Sequence, residues 1–199
     1  GRIIDQGEPK YLNSPETPLF EKGRELFGLP QARHALRETD TAIVTEGYMD
    51  VIALAQNGVG NAVATLGTAT TATHVQKLLR QVDRVVFCFD GDNAGQKAAW
   101  RALENSLEAL ADNKRLGFVF LPAEDDPDSF IRSRGKEAFD RLVREAMPLS
   151  DFLLRELARR CDLTSSEGKA QLIYEAKPLL HKLPTPLLRL QLVKRLAEA

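Results

Sequence analysis

A chain of 199 residues, 43% hydrophobic and 28% charged, has the makeup of an ordinary soluble globular protein, with length for one large core or two small ones. The formal net charge of −1 excludes an overall basic field that would draw in nucleic acid or membrane, so any such affinity must be local. Cys88 and Cys161 are far apart and suggest neither a disulfide framework nor a zinc knuckle. No apolar run approaches the ~20 residues of a membrane span and nothing resembles a signal peptide, so the expected setting is the cytoplasm.

The chain opens on Gly1-Arg2-Ile3-Ile4, which reads like the inside of a domain, so a piece of a longer protein is expected. Arg2 to Asp5 suits a strand and Gly7-Glu8-Pro9 a turn. Lys10 to Pro18, broken by Asn13, Ser14, Pro15 and Pro18, reads as an extended structured loop, uncommon in a compact domain unless it has a task. Phe20 to Phe27 is a short amphipathic turn with Lys22 and Arg24 on its polar side. Leu29 to Arg37 is a helix set off by Gly28 and Pro30.

From Thr41 the periodicity changes. Ala42 to Thr45 reads as a strand ending in Glu46-Gly47. Tyr48 to Asn57 reads as a helix with Met49, Ile52, Ala53 and Leu54 available for its inner face, and Asn57-Gly58 caps it. Asn61 to Ala64 is a second strand, and Leu66 to Thr71 a loop delivering a helix over Ala72 to Arg80. Val85 to Phe89 is a short, unbroken apolar run, the mark of a strand buried on both faces. It stops at Asp90-Gly91-Asp92. Asn93 to Gln96 then leads into an Ala-rich helix, Lys97 to Ala111, and Leu116 to Leu121 is a fourth strand. An acidic run, Glu124 to Asp128, precedes two short helices, Asp128 to Arg134 and Lys136 to Ala146. Pro148 to Ala199 shows apolar residues only at helical spacing, with starts at Ser165-Ser166-Glu167 and Pro184-Thr185-Pro186. The expected fold is therefore α/β, a compact and mostly parallel sheet with helices on both faces over 41–146. An irregular segment, 1–40, precedes it, and a separate helical bundle, 147–199, follows.

In a parallel sheet the strand ends lie along one edge, where open α/β sheets place their ligands. Glu46, then Asp90 and Asp92, then Asp126 and Asp128 follow three of those ends. Acids are favoured singly at helix N-termini by the dipole. Five at three strand ends repel one another unless a cation neutralises them, and hard divalent cations take oxygen ligands. A Mg²⁺ site completed by water and phosphate oxygens accounts for the set.

Two stretches, Val44-Thr45-Glu46-Gly47-Tyr48-Met49-Asp50-Val51 and Phe89-Asp90-Gly91-Asp92-Asn93-Ala94-Gly95, resemble the TOPRIM domain of primases and topoisomerases. Lys10 to Thr17, Leu66 to Thr71 and Asp126-Pro127-Asp128 narrow the resemblance to bacterial replicative primases of the DnaG type. That resemblance implies a TOPRIM-like fold followed by a helical subdomain, with 1–40 as part of the catalytic core. It implies a metal-dependent nucleotidyltransferase that makes RNA primers on single-stranded DNA from ribonucleoside triphosphates. Glu46, Asp90 and Asp92 would be the catalytic metal ligands, with Asp50, Asp126 and Asp128 completing the cluster around two or more Mg²⁺ or Mn²⁺ ions. Lys10, Lys22 and Arg2 would handle nucleotide phosphates, and Asn13 and Ser14 would line the nucleotide pocket. The resemblance places zinc in an N-terminal domain outside this chain and contact with the replicative helicase in a C-terminal domain also outside it. It also suggests inhibition by guanosine tetra- or pentaphosphate, and a fragment weakly active or inactive alone.

His34, His74 and His181 lack metal-ligand spacing and read as surface or satisfied histidines. Tyr48 and Trp100 read as packing residues, Lys97 and Arg101 as solvated helix charges. Two alternatives stay open: a TOPRIM nuclease or topoisomerase fragment, and a non-catalytic nucleotide-binding module.

Overall fold

The structure, a computed structural model, describes residues 14–198. Arg2, Lys10 and Asn13, together with the strand suggested over Arg2 to Asp5, lie outside the described residues. Segment 14–27 runs through turns, one closed by Thr17 and Phe20 bonding each other's backbone at 3.0 Å, to α1 (Leu29–Thr39). There follow β1 (Thr41–Thr45), α2 (Tyr48–Gln56), β2 (Ala62–Ala64), α3 (Ala72–Leu79), β3 (Arg84–Phe89), α4 (Asn93–Ser106) and β4 (Arg115–Phe120). The chain continues with α5 (Pro127–Arg144), β5 (Met147–Pro148), α6 (Leu149–Ala158), α7 (Ser166–Lys182) and α8 (Pro186–Ala197). Gly135 adopts φ 78° and ψ 172° inside α5, so two helices meet there, as the sequence suggested.

The sheet order is β2-β1-β3-β4-β5, with β2, β1, β3 and β4 parallel and β5 antiparallel to β4. From β1 the chain winds outward to β2, then returns to lay β3 on the other side of β1. The β1–β3 boundary is thus the switch point at which doubly wound sheets open a crevice. Along β3, alternation sends Val85, Phe87 and Phe89 into one apolar layer and Val86 and Cys88 into the other. The second layer is closed by α2 and α5, through Val51, Leu54, Phe130, Ile131 and Phe139.

The first layer is larger. The helical tail, read from its periodicity as a bundle, packs into it and shares one apolar core with the sheet. Phe152 of α6 is buried against Phe118 of β4, ring centroids 4.6 Å apart, and lies edge-on to Trp100 of α4 at 6.5 Å. Leu172, Ala176 and Leu179 of α7 and Leu192 and Leu196 of α8 belong to the same cluster. Burying a phenylalanine in this way contributes on the order of 3–5 kcal/mol, the cost of its removal to alanine. The two-residue β5 also sits where only helix was expected. On α2, Met49 (37% exposed) and Ile52 (39%) face outward while Val51, Ala53 and Leu54 turn inward. That helix is apolar nearly all round, so composition gave no polar face to orient it.

Both sheet edges are covered. Beside β2, Phe27 exchanges backbone hydrogen bonds with Ala64, donating at 2.8 Å and accepting at 3.1 Å. At the other edge β5 supplies a short antiparallel partner ending in Pro148. No helix among the described residues is long and apolar enough to cross a membrane.

Candidate metal centre

Glu46 leaves β1 and Asp90-Gly91-Asp92 leave β3 on the two sides of the switch point. The three lie close enough to interact: the Glu46 carboxyl is pushed up by burial, then by Asp90 and Asp92. Asp50, in the first turn of α2, is pushed up further, to about 7, by burial first and then by Asp126, with Asp90 and Asp128 adding to it. Its one opposing influence is the Gly47 amide, which donates to Asp50 Oδ2 at 3.1 Å. Asp90 therefore belongs to both groups, and the six acids singled out from sequence gather at one edge.

They are not equivalent. Asp92 caps α4, accepting from the Gly95 amide at 2.7 Å, and Asp126 caps α5, accepting from the Ser129 amide at 2.7 Å. Asp128 is paired with Arg132 one turn on. Each of these three carboxylates already has a local task, which fixes its direction. Accordingly, no group of three or more Asp, Glu, His or Cys among the described residues is placed to hold one ion by itself. The set suits hard cations that take one or two carboxylates and keep water or phosphate oxygens for the rest, the habit of Mg²⁺. The donors are all oxygen, and the mutual repulsion at Glu46 and Asp50 is what a bound cation relieves.

Gly91 is not a flexible spacer. A Cβ there would lie 2.0 Å from the Leu121 carbonyl oxygen, and one at Gly95 would lie 2.1 Å from that of Asp90. The acidic loop thus threads between the end of β4 and the first turn of α4, where only glycine fits.

Of the expected phosphate-handling residues, Ser14 and Lys22 are described; Ser14 is exposed. Lys22 is held by its backbone: its amide donates to Glu16 Oε1 at 3.1 Å and its carbonyl accepts from His74 Nε2 at 2.9 Å. His74 is buried, and its Nδ1 accepts from the Thr71 amide at 3.2 Å, so it is a satisfied histidine whose pKa burial lowers. Tyr48 packs on Phe27, centroids 5.3 Å apart. Arg101, read as a solvated helix charge, is exposed. It lines a cavity of about 370 Å³ together with Glu46, Thr68 and Phe89. Ala98, one turn before it on α4, lines the same cavity.

Three family models match successive stretches: the N-terminal domain of the DNA primase catalytic core over residues 1–33, Toprim-like over 43–131, and the DnaB-helicase binding domain of primase over 150–199. The last description bears on the helicase, the partner that the resemblance implied. The DNA primase of Neisseria meningitidis is 54% identical over 199 residues, covering all of this chain and 34% of that protein. The crystal structure of a DNA primase domain from Pseudomonas aeruginosa matches with TM-score 0.95 at 52% identity, over all of this chain and 62% of that one. The DnaG primase catalytic domain bound to ssDNA matches with TM-score 0.93 at 48% identity, over all of this chain and 64% of that one. The chain spans about a third of the length of the curated relatives it matches. With the acids ordered along a Toprim sheet edge and about half of all positions shared from end to end, the chain belongs to the DnaG family of bacterial DNA primases.

Proposed function

We propose that this chain supplies the nucleotidyl-transfer centre with which a DnaG-type primase makes RNA primers on single-stranded DNA. The observation that carries the reading is Glu46 lying across the switch point from Asp90 and Asp92, near enough for both to disfavour its charge. In the reaction a 3′-hydroxyl loses its proton and its oxygen bonds to the α-phosphorus of a ribonucleoside triphosphate, while the bond to pyrophosphate breaks. Two or more bound Mg²⁺ or Mn²⁺ ions would supply charge to acidify the hydroxyl and neutralise the leaving pyrophosphate. Glu46, Asp90 and Asp92 would hold them, with Asp50 beside them. Asp92, aimed by its cap bond to Gly95, presents the oxygen left over. Asp126 and Asp128 serve from a second rank, because a cap and an ion pair engage them.

Lys10, Lys22, Arg2, Asn13 and Ser14 receive the triphosphate in this reading, and guanosine tetra- or pentaphosphate would compete there. The family model over 150–199 supports a helicase-facing role for the helical tail. The setting is the bacterial cytoplasm. The test is incorporation of labelled ribonucleotide on a single-stranded template, run beside nicking of supercoiled plasmid. Metal-dependent incorporation that Glu46→Gln abolishes is expected; nicking without incorporation overturns the reading.

A further inference from the structure

The cavity beside Glu46 has a size ordinary for small-ligand sites, about 370 Å³. Glu46 and Arg101 of α4 both line it, together with Thr65, Thr68 and Thr70 of the β2–α3 loop. The loop is fixed: Asn105 Nδ2 donates to the Thr70 carbonyl at 2.8 Å, and Thr71 Oγ1 donates to the Gly23 carbonyl at 2.6 Å. Two groups in this fixed frame lack partners. Among the described residues, Thr68 Oγ1 is buried and makes no hydrogen bond, and Arg101, which is exposed, makes no ion pair or hydrogen bond.

A buried hydroxyl without a partner and an unpaired guanidinium call for a ligand that has both a hydroxyl and an anion. Charge decides which anion. A triphosphate carries several negative charges, and beside the Glu46 carboxylate a single arginine does not balance them without bound cations. A phosphodiester carries one, which one guanidinium matches. A ribose at a strand end adds two hydroxyls, of which the 2′ both donates and accepts.

We infer that this cavity holds the 3′-terminal ribonucleotide of the strand being extended, with Arg101 on its phosphodiester, Thr68 on its 2′-hydroxyl and its 3′-hydroxyl toward Glu46. The inference rests on the nucleotidyl-transfer reading above and separates the growing strand's seat from that of the incoming triphosphate. Arg101 is then a positioning residue, touching the strand one linkage away from the reacting oxygen.

The test is a coupling cycle on the full chain, read by fluorescence anisotropy with an RNA primer annealed to a DNA template, without divalent metal. A methylphosphonate at the primer's last linkage removes its charge. Wild type is expected to bind the neutralised hybrid about tenfold more weakly than the natural one, the scale of a charge-assisted hydrogen bond. Arg101→Ala should bind both equally, at the weaker level, and Arg101→Lys should recover part of the difference. In extension assays Arg101→Ala should raise KM for the primer more than it lowers kcat, and Thr68→Val should narrow the preference for a 2′-hydroxyl at the primer end. The same methylphosphonate loss in wild type and Arg101→Ala overturns the assignment. So does weakened Mn²⁺–ATP binding with hybrid affinity intact, or no measurable hybrid binding by wild type. A complete cycle without ribonucleotide incorporation would instead sink the nucleotidyl-transfer reading and leave the seat standing.

Discussion

Asp50 is the residue whose ionisation says most about the site. Its carboxyl titrates near 7 in the folded chain rather than near 3.8, because burial and then Asp126 disfavour the charge. A raised folded pKa favours the folded state most below the ordinary value, and that advantage is lost as pH rises from there through about 7. Asparagine mimics the protonated form and does not titrate. Asp50→Asn should therefore melt above wild type at about pH 8 in chelator, with the gap closing toward about pH 4; thermal unfolding across that range checks it. Glu46 shifts in the same direction and should add to the slope. Asp90 repels both, so Asp90→Asn should hold or raise the metal-free melting temperature. It should also lose most of the stabilisation that millimolar Mn²⁺ gives wild type. Equal metal-induced shifts in the two proteins would remove Asp90 from the ligand set. Glu46, Asp90, Asp92, Asp126 and Asp128 were legible in sequence because each follows an apolar strand, whereas Asp50, inside α2, came only from the resemblance. The place of Arg101 was not legible, because an arginine on an exposed helix face looks the same whether the face meets water or a cavity.

At the scale of elements, the parallel strands and their helices could be read because apolar runs, caps and glycine breaks coincide. What periodicity withholds is the partner of an apolar stripe. The α6 stripe of Phe152, Leu153 and Leu157 reads equally well as the core of a bundle or the cover of a sheet, and in the structure it covers β4. The two residues of β5 are too few to carry any alternation. From sequence alone, a chain ending near Met147 would keep the α/β fold and metal site. With Phe118 and Phe120 uncovered, it should instead melt well below the full chain and bind hydrophobic dyes. Phe152→Ala should destabilise by about 3–5 kcal/mol in urea unfolding without altering Mn²⁺ affinity, since α6 is far in sequence and role from the acidic edge. Cooperative unfolding at wild-type temperature in the truncated chain would restore an independent α/β unit.

For the whole molecule, the placing of Glu46 opposite Asp90 follows from the strand order, which no local pattern reveals. Only because β3 returns beside β1 do carboxylates 44 positions apart, the interval from 46 to 90, share a crevice. The backbone pairing of Phe27 with Ala64 has a consequence of a different kind. A bare β2 would present unpaired amides and carbonyls along a three-residue apolar strand, a template on which another chain could add. Segment 14–27 masks that template, and it is the same segment that carries Lys22. A chain lacking residues up to Phe27 should therefore self-associate, with light scattering rising with protein concentration, while dilute samples still bind Mn²⁺. One strip of chain would then keep molecules apart from each other and bring the substrate in.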